Sequence, residues 1–101
     1  MAAFEPYPIA ASVRKLAAQN FNPQRAEQVL RALESTELPL SSRNPERIHV
    51  AILLLCKNDF ARFERELFEA TRDWRDTLCA AGLEHENWRD VLRAQGIEVS
   101  C

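Results

Sequence analysis

The sequence predicts an all-α fold, a compact single-domain bundle of about five helices with a buried central helix. The 101 residues are 47% hydrophobic and 28% charged, which is typical of a globular chain with one core. Almost every segment between the two glycines and five prolines repeats its apolar residues every three or four positions, the spacing of a helix face. The segment beginning at Ile48 is apolar nearly all round, as expected for a helix buried at the centre of a bundle.

The first two helices are predicted at about residues 9–19 and 23–36. The second begins at Asn22-Pro23, because an Asn side chain can accept hydrogen bonds from the free N–H groups of a first turn. A Pro at the first helical position loses no hydrogen bond there. The two apolar stripes consist of Ile9, Val13, Leu16 and Ala17, and of Ala26, Val29, Leu30 and Leu33.

A third helix is predicted at about residues 45–57, where Asn44-Pro45 repeats the start signal. Its thin polar strip consists of Glu46, His49 and Lys57. This strip predicts that His49 lies at the solvent edge. A buried β-strand is the competing interpretation of HVAILLLC. The Asn-Pro start and the lack of any other convincing strand favour the helix.

A fourth helix, the longest, is predicted at about residues 60–81, with Asp59 as its N-cap. Trp74 falls on its apolar stripe and is predicted to lie in the core. Its opposite face pairs basic and acidic residues four apart, a pattern that keeps a helix surface soluble. A fifth helix at about residues 88–95 is only two turns long, so it must pack on the others to be stable.

Residues 73–83 (DWRDTLCAAGL) and 87–97 (NWRDVLRAQGI) are identical at six of eleven positions. Gly82 and Gly96 follow the predicted ends of two helices, and glycine adopts the left-handed conformation that closes a helix without steric strain. An apolar residue follows each glycine and can contact a leucine of the last helical turn. The shared letters therefore predict a repeated helix ending.

The two copies are predicted to differ at their starts. Asn87 can cap the last helix, and Asp90 completes an approximate capping box. Asp73 is predicted to lie in the middle of the fourth helix because no helix breaker precedes it, which argues against a duplicated binding motif. Trp88 has two alternatives: it seals the core, or it lies partly exposed as a contact residue.

No catalytic residue and no cofactor is predicted. Both glycines are assigned to helix ends, so none is left for a phosphate-binding loop or a dinucleotide fingerprint. The chain contains no GxSxG, no HExxH and no paired cysteines with metal-ligand spacing. His85 lies in a turn between two glutamates and is interpreted as a surface histidine.

No metal site is predicted either. His49 and Cys56 share a helix face, but two ligands do not make a zinc site. Helical di-metal sites need several Glu-x-x-His pairs, whereas this chain has one, in ERIH. Four carboxylates that align along one side are therefore interpreted as a solvated face: Glu66, Glu69, Asp73 and Asp76.

Nucleic acid and membranes are not predicted partners. The net charge is −2, divided as +1 for residues 1–50 and −3 for residues 51–101, so neither half forms a basic field. A helix-turn-helix made of the third and fourth helices would present acidic side chains to phosphate. The longest apolar run, Val50–Cys56, is too short for a bilayer. The N-terminus does not read as a secretory signal, and three cysteines do not suggest a disulfide framework, so a cytoplasmic location is expected.

An apolar helix followed by a charged helix with Asp-Trp-Arg-Asp resembles short bacterial proteins of uncharacterised function. The resemblance covers about residues 47–83 and depends on ERIHVAILLLCKND and RDWRDTLCAAG. It implies a small bacterial helical domain and brings no activity, cofactor or catalytic residue with it.

These observations predict a non-catalytic helical protein that binds another protein. Arg75, Trp88 and Arg89 are the predicted contact residues, because Trp and Arg are enriched at interfaces. One alternative is a homo-oligomer, such as a homodimer that buries surplus apolar surface of the second or third helix. The other is a ligand-carrying or enzymatic domain, which would need an enclosed cavity lined by His49, the carboxylates or Cys79.

Overall fold

A computed structural model describes residues 7–38, 45–97 and 99, and these residues contain six α-helices and no β-strand. In chain order the helices are α1 (Ala11–Asn20), α2 (Pro23–Ser35), α3 (Pro45–Cys56), α4 (Phe60–Arg72), α5 (Trp74–Ala81) and α6 (Trp88–Ala94). The predicted all-α single-domain fold is confirmed, with six helices in place of five. Asn44 lies outside the described residues, so its role at the start of α3 stays a prediction.

Helix α3 lies at the centre of the bundle, where α1, α4 and α5 all pack against it. Its apolar residues point in nearly every direction, and neighbouring helices cover all of them except Leu54 and Leu55, which are partly buried. Eight of its residues are buried: Glu46, Ile48, His49, Val50, Ala51, Ile52, Leu53 and Cys56. The predicted buried central helix is therefore present.

Two of the three residues of the predicted polar strip are buried, and only Lys57, which follows the last residue of α3, is exposed. The His49 side chain is fully buried, and Glu46 is buried as well. The Ser12 hydroxyl of α1 donates a hydrogen bond to the Glu46 carboxylate, and the Tyr7 ring stands edge-on to the His49 ring with centroids 5.8 Å apart. The prediction of a solvent-edge histidine was wrong because α1 and the segment before it cover this side of α3.

The first two helices pack on each other, and α1 packs also on α3 whereas α2 packs on α4. The Asn22 side chain accepts a hydrogen bond from the Arg25 N–H at 2.8 Å, which confirms the predicted start of α2. The segment before α1 is attached to the end of α2. The Tyr7 N–H donates to the Glu34 carbonyl at 2.9 Å, and the Tyr7 hydroxyl accepts from the Leu38 N–H at 3.0 Å.

The predicted fourth helix is divided into α4 and α5 at Asp73, which has an extended backbone with φ −149° and ψ 90°. Its N–H donates to the Glu69 carbonyl at 2.8 Å, and its side chain accepts from the Arg75 N–H at 3.1 Å. Placing Asp73 in mid-helix was therefore wrong. An Asp side chain competes with the helix for backbone hydrogen bonds and can cap a new helix without a Gly or Pro.

Both predicted glycine helix endings are confirmed. Gly82 and Gly96 have φ of 76° and 82°. The N–H of the following residue donates to a carbonyl five positions earlier, from Leu83 to Leu78 and from Ile97 to Leu92, at 2.9 Å in both cases. Each glycine N–H bonds one turn back as well, which completes the Schellman pattern.

Candidate functional site

A cleft of about 450 Å³ lies where α3, α5 and α6 meet. It combines apolar, aromatic and charged side chains on one side of the molecule. Its lining residues are Arg47 and Ile48 of α3, Trp74, Arg75, Leu78 and Cys79 of α5, Glu84 of the following turn, and Trp88 and Arg89 of α6. The three predicted contact residues, Arg75, Trp88 and Arg89, therefore lie together in one cleft, although their contact role stays a prediction.

The near-repeat in the sequence explains why these side chains meet. Asp73 and Asn87 each precede the first residue of a helix, so Trp74 and Trp88 take the first helical position and an arginine takes the second. Similar helix starts thus present a Trp-Arg pair to the same cleft. Both copies therefore begin a helix, contrary to the expectation that Asp73 lies in mid-helix.

One sequence signal pointed to this correspondence. Asp73 and Asp76 are three residues apart, as Asn87 and Asp90 are, which is the approximate spacing of a capping box. The absence of a Gly or Pro before Asp73 concealed the signal. The predicted side-chain cap at Asn87 was wrong, because the Asn87 side chain makes no capping hydrogen bond, whereas the Asp73 side chain does.

The two tryptophans are buried to different extents. Trp88 is only 4% exposed, which agrees with the alternative in which it seals the core, yet its ring also lines the cleft. Trp74 was predicted to lie in the core, and it is partly buried and packed against it. The cleft is thus continuous with the core and is bounded by rigid aromatic groups.

The arginines are held against the indole rings. The guanidinium carbon of Arg89 lies 4.4 Å from the centroid of the Trp88 ring, and that of Arg47 lies 5.9 Å from it. The guanidinium carbon of Arg75 lies 5.8 Å from the Trp74 ring centroid. Guanidinium groups stack on aromatic faces by cation–π attraction, which restricts their conformations.

Arg47 has a structural role as well. Its Nε donates to the Leu83 carbonyl at 2.8 Å and its Nη2 donates to the His85 carbonyl at 3.0 Å. These bonds attach the turn between α5 and α6 to the start of α3. Sequence reasoning missed Arg47, because a single Arg among the first residues of an apolar helix has no pattern that distinguishes it from a solvated side chain.

The charge of the cleft is opposite to that of the whole chain. Three arginines and one glutamate are the charged residues among its described lining, whereas the net charge of the chain is −2. The Glu84 carboxylate lies 3.4 Å from Nε2 of His85, a contact that is attractive when the imidazole is protonated. This local excess of positive charge favours an anionic group in the cleft.

The other candidate residues lie away from the cleft. His49 of α3 is buried beside Tyr7 and the Leu33 backbone of α2, and neither ring nitrogen makes a hydrogen bond within the described part of the chain. Burial lowers the pKa of His49 to about 4, and the Leu33 carbonyl only partly opposes this shift. Burial also raises the pKa of the Cys56 thiol to about 11, so the thiol stays protonated and unreactive.

The acidic residues do not form a ligand cluster. Across residues 7–38 and 45–97, no three His, Cys, Asp or Glu side chains come together in a group that could hold a metal ion. The four aligned carboxylates of the sequence are separated by the break at Asp73, since Glu66 and Glu69 belong to α4 and Asp76 belongs to α5. In the same ranges, no helix has the length and apolar character to cross a membrane.

Comparisons with known proteins identify no relative. The chain matches no protein-family model, no curated protein and no solved structure. The resemblance of residues 47–83 to short bacterial proteins therefore stays a prediction, and the geometry of the cleft is the basis for any functional proposal.

Proposed function

We propose that this chain is a non-catalytic helical domain that binds another protein, and that the cleft between α3, α5 and α6 receives the partner. The observation that carries the proposal is the convergence of two tryptophans and three arginines in one cleft. Trp and Arg dominate the residues whose truncation weakens protein–protein complexes, and such residues cluster at the centre of interfaces. A few anchor residues of this kind are enough for specific binding.

Preorganisation also supports the proposal. Arg89 is already stacked on Trp88, and Arg75 and Arg47 lie within cation–π distance of an indole ring, so a partner would meet side chains that are partly ordered. Ordering a flexible side chain costs about 0.5–1.5 kcal/mol on association. The cleft thus offers charged contacts at a reduced entropic cost.

The chemistry of the lining supports a binding role over catalysis. Arginine stays protonated in proteins, so none of the three can act as a general base. Glu84 is the only carboxylate in the described lining, and Cys79 the only thiol. We further propose a bacterial cytoplasmic setting, in which Cys56 and Cys79 stay reduced as free thiols.

The first experiment compares proteins captured from an extract of the native host by three immobilised forms. These are the wild type, Arg75→Glu and Arg14→Glu. Both variants replace an arginine with a glutamate, so they change the net charge equally. Arg14 is the control because it is exposed on α1 outside the cleft lining. We expect a protein that is retained by the wild type and by Arg14→Glu but lost with Arg75→Glu.

The second step uses the purified partner. Both tryptophans of the chain line the cleft, so their fluorescence reports binding there directly. We expect the emission to change during a titration of the wild type and much less with Arg75→Glu. Captured proteins that bind all three forms equally, or binding without a change in emission, would contradict the proposal.

Self-association is a second candidate, and it rests on a separate apolar depression. Leu54 and Leu55 of α3 are only partly buried and line this depression with Leu16, Ala80 and Ala81. A homodimer would cover them at a two-fold interface. Sedimentation equilibrium over a wide concentration range is the test, and a monomer throughout would eliminate this candidate.

A ligand-carrying domain is the third candidate. The cleft volume of about 450 Å³ lies in the range of small-molecule sites, and Cys79 and Glu84 are at its surface, whereas His49 is not. A thermal-shift screen of small carboxylic acids is the test. Stabilisation of the wild type that Arg75→Glu abolishes would favour this candidate over protein binding.

A further inference from the structure

We propose that the cleft recognises a short acidic peptide segment, in which an Asp or Glu side chain stands next to a large apolar one. This inference rests on the proposed protein-binding function and specifies the chemistry of the partner. It follows from three properties of the described residues: the guanidinium groups, the apolar part of the lining, and the negative charges around the cleft.

The guanidinium groups specify a carboxylate. Planar guanidinium and carboxylate groups match each other in paired hydrogen bonds, which are stronger than bonds between neutral groups. Arg75 is exposed and makes no ion pair with any described residue. Its guanidinium donors can therefore reach a bound segment. Arg89 adds a second positive charge across the cleft, stacked on Trp88 at 4.4 Å.

The apolar part of the lining specifies the neighbouring residue. Ile48, Leu78 and Trp74 line the same cleft, and the partly buried Trp74 supplies most of its open apolar surface, because Ile48 and Leu78 are buried. A large apolar side chain that packs against Trp74 is removed from water, which favours binding more than an exposed ion pair does. A segment with carboxylates alone would leave the apolar part of the lining exposed to water. The recognised segment therefore includes an apolar residue next to the acidic one.

The surrounding negative charges limit the length of the anionic segment. A groove adjoining Trp74 and Arg75 is lined by Asp73, Asp76 and Arg72, and Glu84 lies in the cleft itself, so carboxylates interrupt the positive charge on both sides of Arg75. A long polyanion such as a nucleic acid strand would pass over these carboxylates and be repelled. The arrangement fits one or two acidic side chains flanked by uncharged residues.

The Glu84 side chain acts as an internal competitor of the bound carboxylate. It adds a negative charge to the same lining that holds the three arginines. Neutralising Glu84 with Gln removes the like-charge repulsion that a bound carboxylate meets there. The affinity for an acidic segment should therefore rise, an effect that a purely apolar mode of binding does not predict.

The test begins with selection from a phage-displayed library of random peptides on the immobilised full-length protein. Selected peptides are synthesised in three forms, with Asp and Glu retained, replaced by Asn and Gln, or replaced by phosphoserine. Their affinities are measured by tryptophan fluorescence for the wild type, Arg75→Glu, Arg14→Glu, Glu84→Gln and Trp74→Ala. Circular dichroism melting confirms that each variant is folded.

We expect selected peptides that carry an Asp or Glu beside a large apolar residue. The amide form of the peptide should bind about tenfold more weakly, as should the acidic form to Arg75→Glu, since a loss of about 1.4 kcal/mol corresponds to a factor of ten. Arg14→Glu should leave the affinity unchanged. Glu84→Gln should raise it by about threefold, the size of an effect at a partly exposed charge.

The outcomes separate this inference from the proposed function. Peptides that lose binding with Trp74→Ala but bind equally well in acidic and amide forms would overturn the acidic-segment inference and leave protein binding in place. A phosphorylated form that binds far more tightly than the carboxylate form would overturn it too. An empty selection, or peptides insensitive to every cleft variant, would contradict both.

Discussion

The first turns of α3 carry buried polar side chains on one side and a polar side chain that lines an open cleft on the other. On one side, Glu46 and His49 are enclosed by α1, α2 and the preceding segment. On the other side, Arg47 extends over Trp88 into an open cleft. The enclosed groups have no route to an external ligand and affect stability alone. The groups of the open side keep access to a partner, so the function is expected there.

The largest expected effect tests whether the cleft side of the molecule is stabilised by the buried ring of Trp88. Trp88→Ala should lower the free energy of unfolding by about 3–5 kcal/mol, because Trp88 is 4% exposed and its removal leaves a cavity. Urea unfolding followed by circular dichroism measures this. Trp74→Ala is the matched variant and should cost clearly less, since Trp74 is only partly buried. Equal losses would remove the distinction between the two rings.

The buried His49 on the enclosed side should make the free energy of unfolding depend on pH. The pKa of His49 is about 4 in the folded chain, against an ordinary value of 6.5. The unfolded chain therefore binds a proton at a pH where the folded chain does not, so stability is complete above pH 6.5 and falls as the pH drops towards 4. At pH 5 the loss from this group is about 2 kcal/mol.

The measurement is urea unfolding at pH 7 and pH 5 for the wild type and His49→Phe. Phe has a similar shape and can keep the edge contact with Tyr7. The variant should lack the part of the acid destabilisation that His49 causes, while the effects of the carboxylates remain in both proteins. An identical pH dependence in the two proteins would show that His49 is not held neutral by burial.

A smaller effect tests the hydrogen bonds by which Arg47 attaches the turn between α5 and α6 to α3. Arg47→Met keeps most of the apolar stem but removes the donors to the Leu83 and His85 carbonyls. We expect a loss of about 1–2 kcal/mol in the free energy of unfolding, measured by thermal melting. Arg14→Met on α1 is the control and should change stability little. If both variants melt alike, Arg47 does not fix the turn.

The smallest effect concerns the helix starts that build the open side. Asp73→Ala should cost about 1 kcal/mol, because the Asp73 side chain accepts from the Arg75 N–H at 3.1 Å. Asn87→Ala should cost less, since the Asn87 side chain makes no capping bond. Chemical denaturation of the two variants decides the order. A larger cost for Asn87→Ala would contradict the assignment of the caps.

The parts of the fold that depend on neighbouring residues were predictable from the sequence. The Asn22 cap and the Gly82 and Gly96 endings are formed by hydrogen bonds within a few positions, so local patterns identify them. The five predicted helices begin within two residues of α1, α2, α3, α4 and α6, whereas the start of α5 was not predicted. The break at Asp73 was missed because an Asp that ends one helix and begins another lacks the usual punctuation.

The features that depend on distant segments were not predictable in this way. His49 was expected at the solvent edge, since nothing in its own helix indicates that α1 and Tyr7 cover it. Arg47 entered the candidate site only through contacts with residues more than 30 positions away. Arg75, Trp88 and Arg89 were singled out by residue type, and their meeting in one cleft follows from tertiary packing.

The shortness of α6 has a consequence for motion. A helix of seven residues is not stable by itself, so α6 is held by its packing and by the Arg47 bonds to the turn before it. We therefore expect α6 to detach while α1 to α5 stay folded. The free energy of this local opening should be lower than that of global unfolding. Hydrogen exchange should reveal α6 amides that exchange early, and a bound segment that spans α5 and α6 should slow them.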